Sequence, residues 1–178
     1  VLSRRQRQMC IRDRDGGLPP QTVIQSEDEI IHSSESAITR FHDPSPGAMV
    51  QVALAPCSPF SVTEAMMTSI ADLAKKSGVR THTHLAETKD ETVFCQETFG
   101  LSPLDYLERV NWLNDRTWLA HAIYFSDEEI DRLGKSKVGI AHCPTSNMIL
   151  GSGICPVSKL LEAGCPVGLG VDGLSLIH

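Results

Sequence analysis

The stretch Thr81-His82-Thr83-His84-Leu85-Ala86-Glu87 brings two imidazoles and a carboxylate together. On a strand, side chains alternate faces, so His82 and His84 point the same way. Glu87 follows three residues after His84, where such a strand would end. An imidazole can hold a metal ion and a neighbouring carboxyl can deliver a proton, which together make a catalytic pair. A His-x-His alone is equally well read as a polar strand end with solvated rings. The balance is tipped by similar placements further along: His121, His142 and Asp172 each close an apolar run, and Cys57 lies just beyond another.

Imidazole and carboxylate donors suit one divalent ion, zinc first and ferrous iron second. A catalytic metal keeps one position open for water and lowers its pKa toward neutrality. Hydroxide then becomes available at pH 7, and a nearby acid must protonate the substrate as it is attacked. Glu87 is placed for that task. In hydrolysis of a C–N bond on an aromatic ring, the proton would go to a ring nitrogen.

These residues need elements to carry them. Glu27 to Phe41 reads as a helix, with Ile30, Ile31, Ile38 and Phe41 on one face. His32 and His42 are assigned to surface or packing roles. Met49 to Leu54 is a short apolar run. Thr63 caps a helix running to Lys76, with Ala65, Met66, Ile70, Leu73 and Ala74 as its stripe, and Gly78 stops it. Val79 to Leu85 is a strand, and Thr88 to Phe99 and Ser102 to Val110 are helices. Thr117 to His121 is a strand. Ser126 to Leu133 is a helix with a Ser-Asp-Glu-Glu capping start. Val138 to His142 is a strand, Pro156 to Ala163 a helix, and Val167 to Asp172 the last strand. Apolar strands alternating with amphipathic helices predict a buried parallel sheet, either doubly wound or a (β/α)8 barrel. In a barrel the C-terminal strand ends converge on one mouth, where sites are built, and a doubly wound sheet also binds ligands near strand C-termini. No glycine-rich phosphate loop follows a strand.

The 178 residues suffice for one domain with a sizeable core. Net charge is −6, and five of the 16 basic residues crowd into residues 1–14, so the body is more acidic than the total. That argues against a nucleic-acid partner. No run reaches the length of a membrane span, and no secretory signal opens the chain, so the expectation is a cytoplasmic protein without a membrane partner. None of the six cysteines forms a Cys-x-x-Cys pair, which predicts reduced, mostly buried thiols. Residues 1–14 and 174–178 have no burial period and resemble translated adaptor sequence. They are expected to be non-native, leaving 15–173 as the structured part.

His84-Leu-Ala-Glu87, Leu119-Ala-His121, His142-Cys-Pro-Thr-Ser-Asn147 and Gly170-Val-Asp-Gly173 together resemble strands five to eight of the amidohydrolase superfamily, in its branch of ring deaminases and triazine hydrolases. Asp15 to Pro20, Phe41 to Gly47 and Leu54 to Phe60 are similar to members of that branch acting on 8-oxoguanine. The resemblance implies a partial (β/α)8 barrel of about five βα units, corresponding to strands four to eight. It implies His84 and Asp172 as metal ligands, with Asp172 also taking a proton from the metal's water. Glu87 would protonate the ring and pass protons to the leaving ammonia, and His121 would orient the hydroxide or stabilise the adduct. The loop His142 to Gly153 would shape the pocket of a small heteroaromatic substrate, with Asn147 bracing it. The expected reaction is 8-oxoguanine to 2,8-dihydroxypurine (uric acid) plus ammonia; a hydroxytriazine or another aminated ring is the alternative substrate.

Two departures stand out. Many members of the branch have histidine where Cys57 stands, which reads either as substrate selection or as a small thiol filling space. The first-strand His-x-His pair is also missing. His82-x-His84 does not replace it, because Glu87 and three matching strands follow, so the first strands are expected upstream. A cytidine-deaminase fold would need His-x-Glu and Pro-Cys-x-x-Cys, and the chain has neither. The non-catalytic alternative is a binding module or an inactive piece, with weak metal binding, no turnover and two exposed sheet edges.

Overall fold

A computed structural model describes residues 25–172. The two tails and the Asp15 to Pro20 loop lie outside the described residues. The elements run α1 (Glu27–Phe41), β1 (Ala53–Leu54), α2 (Glu64–Ser77), β2 (Arg80–Leu85), α3 (Lys89–Phe99), α4 (Pro103–Arg109), β3 (Thr117–His121), α5 (Asp127–Lys135), β4 (Gly139–His142), α6 (Pro144–Leu150), α7 (Val157–Glu162) and β5 (Val167–Leu169). The five strands lie in sequence order in one sheet, and the β1–β2, β3–β4 and β4–β5 pairs are parallel. The alternation expected from the apolar runs is therefore present. No helix among the described residues is long and apolar enough to cross a membrane.

The chain forms two compact units, residues 1–82 and 83–178. In the first, α1 starts in a capping box: the Ser26 amide donates to Glu29 Oε2 at 2.8 Å and the Glu29 amide donates to Ser26 Oγ at 3.2 Å. Thr63 caps α2 by accepting from the Met66 amide at 3.1 Å, and its hydroxyl donates to Glu27 Oε1 at 2.6 Å. The buried face of α2 is Met66, Met67, Ile70, Leu73 and Ala74. Met67 thus takes the place expected for Ala65, which is exposed. A larger side chain one turn before Ile70 covers more apolar area.

Two further expectations change in this unit. Phe41 is exposed at the end of α1, beneath the Arg40 guanidinium at 5.1 Å. The strand expected over Met49 to Leu54 shrinks to Ala53–Leu54, and Met49 is fully exposed. Hydrogen bonds explain the shortening: the Asp43 amide donates to the Val50 carbonyl at 3.1 Å, and the Val52 amide donates to His42 Nδ1 at 3.1 Å. Residues 43–52 spend their backbone groups on a closed loop rather than a ladder. His42 is therefore a packing residue, as expected, and His32 is exposed.

The second unit holds the larger core. Leu85, Leu104, Leu107, Leu119, Leu133 and Leu160 are completely buried, and each contributes roughly 1.5–3 kcal/mol of transfer free energy. Ser126 and Glu129 close the expected capping box on α5. β3 pairs Trp118, Leu119 and Ala120 with Gly139, Ile140 and Ala141 of β4. β4 in turn pairs Ile140, Ala141 and His142 with Val167, Gly168 and Leu169 of β5. Cys95, Cys143, Cys155 and Cys165 are buried, as expected of small apolar thiols.

Two boundaries differ here. β5 ends at Leu169, three residues before Asp172. The expected pocket loop from His142 to Gly153 contains the helix α6 instead. Pro144 starts that helix, where a missing N–H costs nothing, and Gly151 ends it at φ 65°.

Candidate active site

The site lies within residues 83–178, at the C-terminal ends of β2, β3 and β4 and just past β5. His121 is its centre. It ends β3 and is completely buried. Its Nδ1 lies 2.9 Å from Asn147 Oδ1, so an amide oxygen on α6 accepts the Nδ1 proton. Its buried Nε2 has no hydrogen-bond partner among the described residues. That nitrogen faces two carboxylates: Glu87 Oε2 at 3.6 Å and Asp172 Oδ2 at 3.8 Å. The His84 ring lies 5.3 Å from the His121 ring, centroid to centroid, tilted by 30°. His84, Glu87, His121 and Asp172 thus lie near one another, with both carboxylates facing the His121 Nε2 and the His84 ring beside the His121 ring.

Both carboxylates are held by serines that the sequence reading did not single out. Ser146 Oγ donates to Asp172 Oδ2 at 2.6 Å, and Ser152 Oγ donates to Glu87 Oε1 at 3.3 Å. Ser146 lies on α6 and Ser152 follows it. The Tyr124 hydroxyl donates to the Ser152 carbonyl, fixing that turn. The only sequence signal for the serines was their place in the His142 to Gly153 segment already marked as pocket-forming.

The backbone supplies a second kind of positioning. Ala86, His121, Ala122 and Asp172 all have positive φ, at 55°, 72°, 51° and 57°. Left-handed non-glycine residues carry strain and persist only where the surroundings over-determine them. Here the Ala122 amide donates to the Leu85 carbonyl at 3.2 Å, and the Ile123 and Tyr124 amides donate to the Ala86 carbonyl at 2.9 and 3.0 Å. The ends of β2 and β3 are thereby tied together. The Gly170 amide donates to the His142 carbonyl at 2.8 Å and does the same for β4 and β5. A Cβ at Gly170 would meet Cys143 Sγ at 2.9 Å, so this crossing needs glycine.

One more carboxylate reaches the site from beneath. Glu91 on α3 accepts from the amides of Ala86, Glu87 and Thr88 at 2.7, 2.9 and 3.1 Å. Burial pushes its carboxyl above the usual range, while the three amide hydrogen bonds pull it back.

The remaining expected site residues are less engaged. His142 ends β4 half-buried, and its Nδ1 has no hydrogen-bond partner among the described residues. Cys57 is half-buried in the loop after β1, within the other unit. His82 is half-buried on the same alternation of β2 as His84.

The donor types fit a divalent ion in part. Two carboxylates face the buried His121 Nε2 and the His84 ring lies beside the His121 ring, donor types that suit zinc or ferrous iron. Among the described residues, no group of three or more such side chains is close enough together to hold a metal.

Residues 12–178 match the sequence profile of the amidohydrolase family. The chain is 56% identical over 165 residues to 8-oxoguanine deaminase of Pseudomonas aeruginosa, covering 93% of this chain and 37% of that protein. It is 37% identical over 163 residues to an isoxanthopterin deaminase from an unknown prokaryotic organism, covering 91% and 34%. Its fold is similar to the crystal structure of atrazine chlorohydrolase from Arthrobacter aurescens complexed with zinc. The TM-score there is 0.80 at 31% identity, over 88% of this chain and 34% of that one. The chain thus spans about a third of the length of the relatives it matches.

Proposed function

The chain belongs to the amidohydrolase family, with the parallel sheet of a partial (β/α)8 barrel, and on that premise we propose that the complete enzyme is a hydrolytic deaminase whose substrate is 8-oxoguanine. The observation that carries the reading is the pair of carboxylates about one imidazole nitrogen, Glu87 at 3.6 Å and Asp172 at 3.8 Å from His121 Nε2. Such a pair can divide the two proton tasks of a deamination, one taking a proton from water and the other giving one to the ring.

In this mechanism His84 and Asp172 would help to hold the divalent ion, together with ligands beyond this chain. When bound, the ion supplies the Lewis acidity that brings a water's pKa toward neutrality. Asp172 accepts the proton lost by the attacking water, its Oδ2 oriented by the Ser146 hydroxyl. Glu87 donates its proton to the ring nitrogen beside the amino-bearing carbon. His121 Nε2 faces both carboxylates, where it can accept a proton in transit, and a proton held there would stabilise charge on the tetrahedral adduct. Glu87, now a carboxylate, takes the proton of the adduct's hydroxyl and passes it to the amine; the C–N bond breaks, the carbon keeps its oxygen as a carbonyl, and ammonia leaves. His142 would contact the substrate, Asn147 acts through its hydrogen bond to His121, and Cys57 is the residue expected to choose among rings.

The atoms correct one expectation. 8-Oxoguanine carries its amino group at C2 and oxygens at C6 and C8. Replacing the amine by oxygen gives the 2,6,8-trioxo purine, which is uric acid; a 2,8-dihydroxypurine would lack O6.

The test is a substrate panel on the complete enzyme, loaded with zinc or with ferrous iron: 8-oxoguanine, isoxanthopterin and a hydroxytriazine, read by release of ammonia or, from an alkylamino ring, of the alkylamine. Ammonia from 8-oxoguanine with the highest kcat/KM is expected. None from 8-oxoguanine sinks the substrate assignment. Turnover of the hydroxytriazine alone would favour the second reading, motivated by the likeness to atrazine chlorohydrolase.

A further inference from the structure

We propose that Glu91 is the positioning residue for Glu87, holding three consecutive amides so that the acid is delivered to His121 in one orientation. The proposal rests on reading Glu87 as the proton donor. Glu91 Oε2 accepts from the Ala86 amide at 2.7 Å, and Oε1 accepts from Glu87 at 2.9 Å and Thr88 at 3.1 Å. A capping box accounts for only one of these, the bond from the N-cap Thr88. The bonds from Ala86 and Glu87 reach back past the helix into the strand end. They convert a cap into a cradle, in which successive N–H groups bind one anion.

Geometry gives this cradle its function. Ala86 sits at φ 55°, a conformation that alanine adopts only when held. It is held from both sides: Glu91 takes its N–H, while the Ile123 and Tyr124 amides take its carbonyl. The next residue is Glu87, whose Oε1 receives the Ser152 hydroxyl and whose Oε2 faces His121 Nε2. Glu91 therefore sets the backbone from which Glu87 projects, while Ser152 sets the carboxylate itself. α3 is in turn anchored one turn further on by Cys95, which is completely buried. Desolvation of Glu91 opposes its charge, and the three amide hydrogen bonds offset part of that cost.

The experiment uses the complete enzyme with Glu91→Gln and Glu91→Ala, assayed on whichever ring the wild type deaminates. Glutamine offers one acceptor oxygen where glutamate offers two, so at least one of the three amides loses its partner. The expected result is a fall in kcat of tenfold or more for Glu91→Gln and a larger fall for Glu91→Ala, with KM within twofold of wild type. A smaller fall in kcat, or a loss carried by KM, overturns the proposal. Should both variants fail to fold, amide hydrogen exchange on the wild type decides. Protection of the 86, 87 and 88 amides by at least a hundredfold is expected, and exchange at open-loop rates overturns the proposal. A wild type that releases no ammonia from 8-oxoguanine defeats the substrate assignment and leaves the exchange result to judge Glu91 alone.

Discussion

Replacing Asn147 by leucine in the complete enzyme separates bracing from bulk. The two side chains are similar in volume, and Asn147 is buried. The change removes the acceptor 2.9 Å from His121 Nδ1 and leaves a buried N–H without a partner. Such a loss costs about 1–3 kcal/mol. If the whole cost falls on the transition state, kcat/KM drops roughly 5- to 150-fold, since about 1.4 kcal/mol is tenfold. The part that falls on the folded ground state appears instead as a melting temperature lower by a few degrees. Steady-state ammonia release and a thermal melt read the two parts separately. The ring itself gives an independent readout: with Asn147 Oδ1 as acceptor, the His121 proton sits on Nδ1. Nitrogen-15 chemical shifts of the imidazole should report that site protonated in the wild type. A neutral ring protonated on Nε2 alone, or a leucine variant within threefold of wild-type kcat/KM and unchanged in melting temperature, would refute the reasoning.

Three further outcomes follow from other contacts. Gly134→Ala should destabilise the protein by about 1–3 kcal/mol by overpacking, exceeding the ~1 kcal/mol of helix propensity gained, because its Cβ would meet the Ala163 carbonyl oxygen at 2.0 Å; an unchanged urea midpoint would contradict this. Cys57→His should alter the ranking of ring substrates in the ammonia assay, and an unchanged ranking removes Cys57 from specificity. Alkaline pH should erode stability through two buried thiols. Desolvation, with a smaller push from Glu91, raises Cys95 to about 12, and desolvation with Cys143 raises Cys155 to about 11, against an ordinary value of 9.0. The folded state holds these protons more tightly than the unfolded chain, so the contribution is complete below pH 9.0 and is lost as pH rises through 11 and 12. Urea midpoints that stay flat from pH 8.5 to 12 would rule this out.

Much of the fold was legible because burial writes itself into period. The apolar runs ending at His121 and His142 read as strands, and Ser126 with Glu129 announced a helix start in four letters. The failures fall where a local hydrogen bond beat the pattern. Met49 to Val52 looked apolar enough for a strand, but the Val52 amide went to His42. The segment after His142 looked like a loop because its proline and glycine mark the two ends of a single helix.

The sequence by itself determined which residue types stand at the ends of β2, β3 and β4, since the strand pattern runs into His84, His121 and His142. Only the tertiary structure decided how they meet. The positive φ values at Ala86 and His121 go with hydrogen bonds between strand ends far apart in sequence. The partners of the two carboxylates, Ser146 and Ser152, are 26 and 65 residues away from them along the chain. Glu91 shows the same division: four residues after Glu87 it reads as a helix cap, and its hold on Ala86 and Glu87 exists only once the strand end has turned back over the first turn of α3. A periodic pattern records which face is buried; it carries no record of the long-range hydrogen bonds that set the aim of a side chain.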